Sequence, residues 1–142
     1  MPKVVEEKVY WNSVFSREDP WNYSSEYEQK KYRHTLEMMP ESSFARVLEL
    51  GCAEGLFTKM LSEKADDILA VDISEQALER ATKRCEGLEN VKFEQHDIAQ
   101  GITLGEFDLI VCSEILYYLR DRYSLEAFAR QVTRSLPLGG YL

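Results

Sequence analysis

Val47-Leu48-Glu49-Leu50-Gly51-Cys52-Ala53-Glu54-Gly55 is the stretch on which the reading of the fold turns. Arg46 to Leu50 reads as a short apolar strand that ends in glycine. Past Gly55, apolar residues at Leu56, Met60 and Leu61 predict a helix over 55–64 with those three inward. Gly51 lets the backbone approach a ligand with no Cβ in the way, and Gly55 permits the turn into the helix. Strand, tight turn and helix are the first half of a βαβ unit.

Working outward, the alternation continues. Ile68 to Val71 is a second strand, and Ser74 caps a helix with Leu78, Ala81 and Cys85 on one face. Val91 to Gln95 is a third strand with Val91 and Phe93 on one side. Phe107 to Cys112 is a fourth, so apolar that it is expected to be central. Leu125, Phe128, Ala129, Val132 and Leu136 mark a long amphipathic helix. Pro137-Leu138-Gly139-Gly140 ends it, and Tyr141-Leu142 begins a fifth strand. The fold class is therefore α/β, a doubly wound, mostly parallel sheet with right-handed crossovers. Ending where a fifth strand begins, it is expected to lack its C-terminal strands. Residues 46–142 form this core.

Residues 1–45 differ. They hold both tryptophans and a run of tyrosines: Tyr10, Trp11, Phe15, Trp21, Tyr23, Tyr27 and Tyr32. Asp19-Pro20 reads as a turn. Ser24 or Ser25 caps a helix whose Tyr32, Leu36 and Met39 fall at helical spacing, and Pro40 stops it. The segment reads as an aromatic-rich helical lid or substrate segment.

Composition narrows the function. The formal net charge is −8, which repels a polyphosphate, so nucleic acid is not an expected partner. Lys30, Lys31 and Arg33 read as a solvated helix face. No apolar run approaches the ~20 residues of a membrane span, and no signal-peptide core opens the chain. Cys52, Cys85 and Cys112 are scattered and form no CxxC pair, which suits a reducing cytoplasm. With only His34 and His96 and no HxxxH spacing, no metal site is expected. A small neutral or cationic molecule is the expected substrate.

The turn after the first strand is where a doubly wound sheet binds a nucleoside ligand. Asp72, at the end of the second strand, is placed to accept both ribose hydroxyls. A dinucleotide loop reads GxGxxG, since a pyrophosphate must sit on a helix N-terminus. Here position 56 is leucine, and the pattern is Gly51-x-x-x-Gly55. Glu49 and Glu54 would repel a pyrophosphate. They suit a ligand carrying an ammonium and a sulfonium, which is S-adenosyl-L-methionine (SAM).

Glu49-Leu50-Gly51-Cys52-Ala53-Glu54-Gly55 resembles motif I of the class I SAM-dependent methyltransferases, with Ala53 in place of the middle glycine. His96-Asp97-Ile98 resembles the acid that contacts the adenine amino group. Val111 to Leu119 resembles motif IV, and Pro137-Leu138-Gly139-Gly140 resembles the turn before the fifth strand. The resemblance implies a Rossmann-like methyltransferase fold with SAM as cofactor and S-adenosyl-L-homocysteine as product. It assigns Glu49, Gly51, Cys52, Ala53, Gly55, Asp72, Ile73, Asp97, Ile98 and Ser113 to the cofactor. Asp19-Pro20-Trp21, Tyr27-Glu28, the cysteine-containing motif I and Glu114-Ile115-Leu116-Tyr117-Tyr118-Leu119 are similar to the nodulation-type (NodS-like) methyltransferases. That narrower resemblance implies methyl transfer to a small-molecule acceptor, an amine or hydroxyl of a sugar or related metabolite.

By the same resemblance Trp21 contacts the cofactor, and aromatic faces attract a sulfonium. Glu114, at the carboxyl end of the fourth strand, is the expected catalytic residue, binding a cationic amine or accepting its proton. Tyr117 and Tyr118 are expected substrate contacts, with His34 a weaker one. Two other readings stand beside this one: a non-catalytic or incomplete SAM-binding domain, and an NAD-binding oxidoreductase domain. The apolar fourth strand, if left at an edge, would favour a homodimer.

Overall fold

The computed structural model describes residues 4–102, 105–119 and 121–142. The first three residues of the N-terminal segment lie outside that description. Helix α1 spans Val4–Val14 and α2 Glu26–Met38; then follow β1 Phe44–Leu50, α3 Leu56–Leu61, β2 Ala65–Asp72, α4 Glu75–Arg84, β3 Val91–Gln95, β4 Leu109–Cys112 and α5 Arg122–Ser135. The strands form one parallel sheet of order β3-β2-β1-β4. In its middle, Val47 pairs with Ile68 on one side and Leu109 on the other.

Strand alternation sends successive residues of β1 to opposite faces. Val47 joins Ile68, Ala70, Phe57 and Leu61 beneath α2, α3 and α4. Leu48 and Leu50 join Leu69, Val71, Phe107 and Ile110 beneath α5. Tyr32, Leu36 and Met39 pack α2 on the first cluster, as their spacing predicts. Ser25 is the N-cap of α2, its side chain accepting from the Glu28 amide. Met39, the residue before Pro40, is extended and ends the helix. Ser74 caps α4, which buries Ala77, Leu78 and Ala81.

Some expectations shift. The helix expected over 55–64 is α3 followed by a 3-10 turn at Ser62–Lys64, and Phe57, Thr58 and Leu61 are its buried residues rather than Leu56 and Met60. The buried stripe of α5 runs through Phe128 and Val132, while Leu125 is exposed. β4 starts at Leu109 because Phe107 and Asp108 have other work. The Phe107 amide donates to the Ser135 carbonyl. The Asp108 carboxylate accepts from the Ala45 and Arg46 amides at the start of β1. β4 ends the four-stranded ladder instead of lying central, but its outer side is met by Tyr141, which bridges Leu109 in parallel. Helix α1 was not legible: Val9 and Tyr10 are exposed beside half-buried Trp11, so no single apolar stripe marks it.

Gly55 opens α3 at φ +79°, where a Cβ would stand 2.9 Å from the Ala81 Cβ. Its absence lets α3 and α4 meet. Gly55→Ala combines a left-handed backbone with overpacking and is expected to cost about 1–3 kcal/mol. Urea unfolding measures it, with an unchanged midpoint as the contrary result.

Candidate cofactor and acceptor cleft

The carboxyl ends of all four strands open into one cleft of about 440 Å³, within the usual range for small-molecule sites. Its floor is the loop after β1. The Gly51 and Cys52 amides both donate to the Val71 carbonyl, at 2.9 and 3.0 Å. Gly51, at φ +70°, has no room for a Cβ: one would lie 2.5 Å from Ile115 Cγ2. The glycine thus admits the loop after β4 as well as any ligand. Ala53 takes a left-handed backbone, φ +49°, where the family motif carries glycine. Its amide donates to Asp72 Oδ2 at 2.9 Å.

Carboxylates dominate the cleft. Asp72 is buried, and its other oxygen accepts from the Ser74 amide at 2.9 Å. Burial pushes its carboxyl up, against the backbone amides of Ser74, Ala53 and Ile73 that hold the charged form. Glu49 is 4% exposed and accepts from the Thr58 hydroxyl at 2.6 Å. Burial pushes its carboxyl from the ordinary 4.5 up to about 8; the Thr58 bond opposes this and the charge of Asp72 adds to it. Asp97 accepts from the Ala99 amide through Oδ1. Its Oδ2 is buried and meets no hydrogen-bond partner among the described residues. Burial likewise raises the thiol of Cys52, which packs in the core beneath the cleft and lines its wall.

Glu54 departs from expectation. Its carboxylate, 2% exposed, accepts from Arg80 Nη1 at 3.0 Å and from the Asp19 amide at 2.8 Å. It lines the cleft, but its charge is met from within the chain by Arg80, and it clamps the turn before Trp21.

Of the residues assigned to the cofactor, Trp21, Glu49, Gly51, Cys52, Ala53, Asp72, Ile73, Asp97, Ile98 and Ser113 line the cleft, as do Glu114, Tyr117 and Tyr118. Gly55 does not; its place is the contact of α3 with α4. His34 is exposed on α2 and also outside the lining. Sequence reasoning missed Tyr23, Glu28, Lys31 and Tyr32, which all line the cleft. Glu28, Lys31 and Tyr32 stand at i, i+3 and i+4, so helical spacing alone puts them on one face. Lys31 is no solvated bystander: its ammonium lies 2.6 Å from Glu28 and 2.8 Å from Glu114. Trp11, Phe15 and Trp21 of the aromatic segment line the cleft, with Trp11 on the Tyr118 ring at 4.6 Å and Phe15 on Trp21 at 5.7 Å. Trp21 itself is 45% exposed. Among the described residues no group of His, Cys, Asp and Glu gathers to hold a metal, and no helix is long and apolar enough to cross a membrane.

A glycine loop after the first strand, with acids after the second and third, on a sheet of this order, defines a Rossmann-like methyltransferase domain. Comparison with known proteins then gives the family. The family model for Nodulation protein S (NodS) matches residues 6–139. The chain belongs to that family. It is 37% identical over 121 residues to Nodulation protein S of Bradyrhizobium diazoefficiens, covering 84% of this chain and 58% of the relative. It is 30% identical over 122 residues to phosphoethanolamine N-methyltransferase 1 of Arabidopsis thaliana, covering 84% of this chain and 25% of that one. The N-methyltransferase NodS from Bradyrhizobium japonicum WM9, solved with S-adenosyl-L-homocysteine, superposes with a TM-score of 0.84 at 27% identity, over 98% of this chain and 70% of that one. The chain spans 58 to 59% of the length of the first curated relatives it matches.

Because folding keeps a proton on Glu49, its contribution to stability is full below pH 4.5 and is lost as pH rises through about 8. Asp72 acts in the same direction. The ligand-free protein is expected to lose denaturant resistance across that window, and Glu49→Gln to flatten the slope. Parallel profiles for the two proteins would contradict the assignment.

Proposed function

We propose that this chain carries the cofactor-binding part of a SAM-dependent N-methyltransferase acting on a small molecule, an amine of a sugar or a related metabolite. The observation that carries the reading is the buried, unpartnered Asp97 Oδ2 in the same cleft as Asp72 and Glu49. A buried acceptor without a donor is costly unless a ligand supplies one. An adenine amino group is such a donor. Asp72 has acceptor capacity left for ribose hydroxyls, since a carboxylate offers about four lone-pair sites and the backbone amides of Ala53, Ser74 and Ile73 use three of them. Glu49, buried beside no cation, gains one when an ammonium group arrives. These are the donor and charge requirements of SAM, and they fit.

Bound, SAM supplies an electrophilic methyl on a sulfonium. The protein's part is to align an acceptor with it and to exclude water. Trp11, Trp21, Tyr23 and Tyr118 wall the cleft and serve the second task. Glu114 serves the first: it lines the cleft at the end of β4, and its carboxylate can hold an ammonium or take its proton. An amine is favoured over a hydroxyl because two of the similar proteins are named as N-methyltransferases. A non-catalytic SAM-binding domain is the alternative, and activity on an amine decides against it. NAD binding is disfavoured by Leu56 and by the acids in the cleft.

Calorimetric titration should show binding of S-adenosyl-L-homocysteine and none of NAD. Asp72→Ala should weaken it by about tenfold or more, the scale of lost charged hydrogen bonds. Binding of NAD in its place would overturn the cofactor assignment. In a screen of amino-sugars with radiolabelled SAM, Glu114→Gln should cut turnover by more than about threefold with S-adenosyl-L-homocysteine affinity intact. A smaller effect removes Glu114 from the chemistry.

A further inference from the structure

Glu114 is held in an unusual way. Its backbone is left-handed, φ +57°, a conformation a non-glycine residue keeps only when its surroundings require it, and one that clusters at working sites. Its side chain is 62% exposed, so packing does not orient it. Among the described residues, its hydrogen bond goes to Lys31 of α2, at 2.8 Å and 83 residues away in sequence. Lys31 is itself fixed. Its ammonium also meets Glu28 at 2.6 Å, in the first turn of the same helix, and stands 5.4 Å from the Tyr32 ring centroid. Glu28 is the least exposed of the three side chains, Glu114 the most. Order is thus passed outward: Glu28 sits near the helix N-terminus, where a negative charge is favoured; Lys31 is held by Glu28; Glu114 is held by Lys31.

We propose that Lys31 is a positioning residue for methyl transfer, tying α2 to the turn after β4 and setting the Glu114 carboxylate at the acceptor end of the cleft. The inference rests on the N-methyltransferase reading and adds a residue to it. An ion pair this exposed stabilises the fold very little, so its value lies in geometry. Misplacing a reacting partner by about 1 Å can cost about 100-fold in rate.

The test compares Lys31→Met with Lys31→Arg, using glucosamine as the acceptor probe. Lys31→Met is expected to lower kcat/KM by about tenfold while S-adenosyl-L-homocysteine affinity and thermal midpoint barely move. Lys31→Arg, which keeps the charge, should recover to within about threefold of wild type. In a Glu114→Gln background Lys31→Met should cost less than about twofold more, because a residue acting through Glu114 has nothing left to position. Full additivity, or equal loss of S-adenosyl-L-homocysteine binding, overturns the proposal. A second arm needs no acceptor. Hydrogen exchange of the S-adenosyl-L-homocysteine-bound protein should show the amides of residues 113–118 exchanging faster in both Lys31→Met and Glu114→Gln. Unchanged exchange refutes the tie and leaves the N-methyltransferase reading standing. Wild-type protein that methylates no amine refutes that reading, and hydrogen exchange still decides the tie.

Discussion

Asp72 holds two turns at once. One oxygen takes the Ala53 amide from the loop after β1, the other takes the Ser74 amide at the cap of α4. Ser74 in turn donates to Asn12 Oδ1 of α1. One buried carboxylate therefore joins the glycine loop, the following helix and the N-terminal segment. The left-handed turn at Ala53 costs roughly 1–2 kcal/mol by itself, and a charge-assisted hydrogen bond is of a size to offset it. A shorter loop would not bring the Ala53 amide round, and an uncharged side chain at 72 would release both turns together.

The same carboxylate sets the electrostatics. Asp72 and Glu49 are buried in one cleft with no lysine or arginine paired to either among the described residues. Burying acids without a cation raises the cost of the charged form, which is why both carboxyls are pushed up. A fold accepts such a cost where a ligand relieves it. Glu54 gives the contrast: an acid of equal burial in the same loop, satisfied by Arg80 and by backbone. Position in a motif does not separate the two, whereas the partner each acid finds in the folded chain does.

That contrast marks how far the sequence could be read. Strand–helix alternation and serine caps rest on local rules, so the order of elements from β1 onward, the Ser74 cap and a cap at Ser24 or Ser25 were legible. The role of Glu54 depended on an arginine 26 residues away, and Lys31 on a glutamate 83 away. No local pattern reports such pairs. Helix α1 escaped for another reason: it has no continuous apolar stripe. It docks by Asn12 on Ser74, Lys8 on Glu75 and Trp11 on Tyr118, contacts that periodicity does not record. Gly51 was read as a place where a ligand comes close; the structure also brings the loop after β4 against it. That the approaching chain includes Ile115 follows only from the sheet order, which sets β4 beside β1.

The attachments of the N-terminal segment differ at its two ends. Towards α4 they are hydrogen bonds to residues that also shape the cofactor loop, Ser74 and Glu54. Towards β4 they are an ion pair and a ring contact with residues of the cleft wall, Glu114 and Tyr118. Between them Trp21 and Tyr23 face the cleft. A segment pinned this way cannot move without disturbing both sides of the cleft. Whatever orders the Asp72 turn therefore also orders the stretch of cleft wall that Trp21 and Tyr23 supply, because the hydrogen bonds to Ser74 and Glu54 join the two.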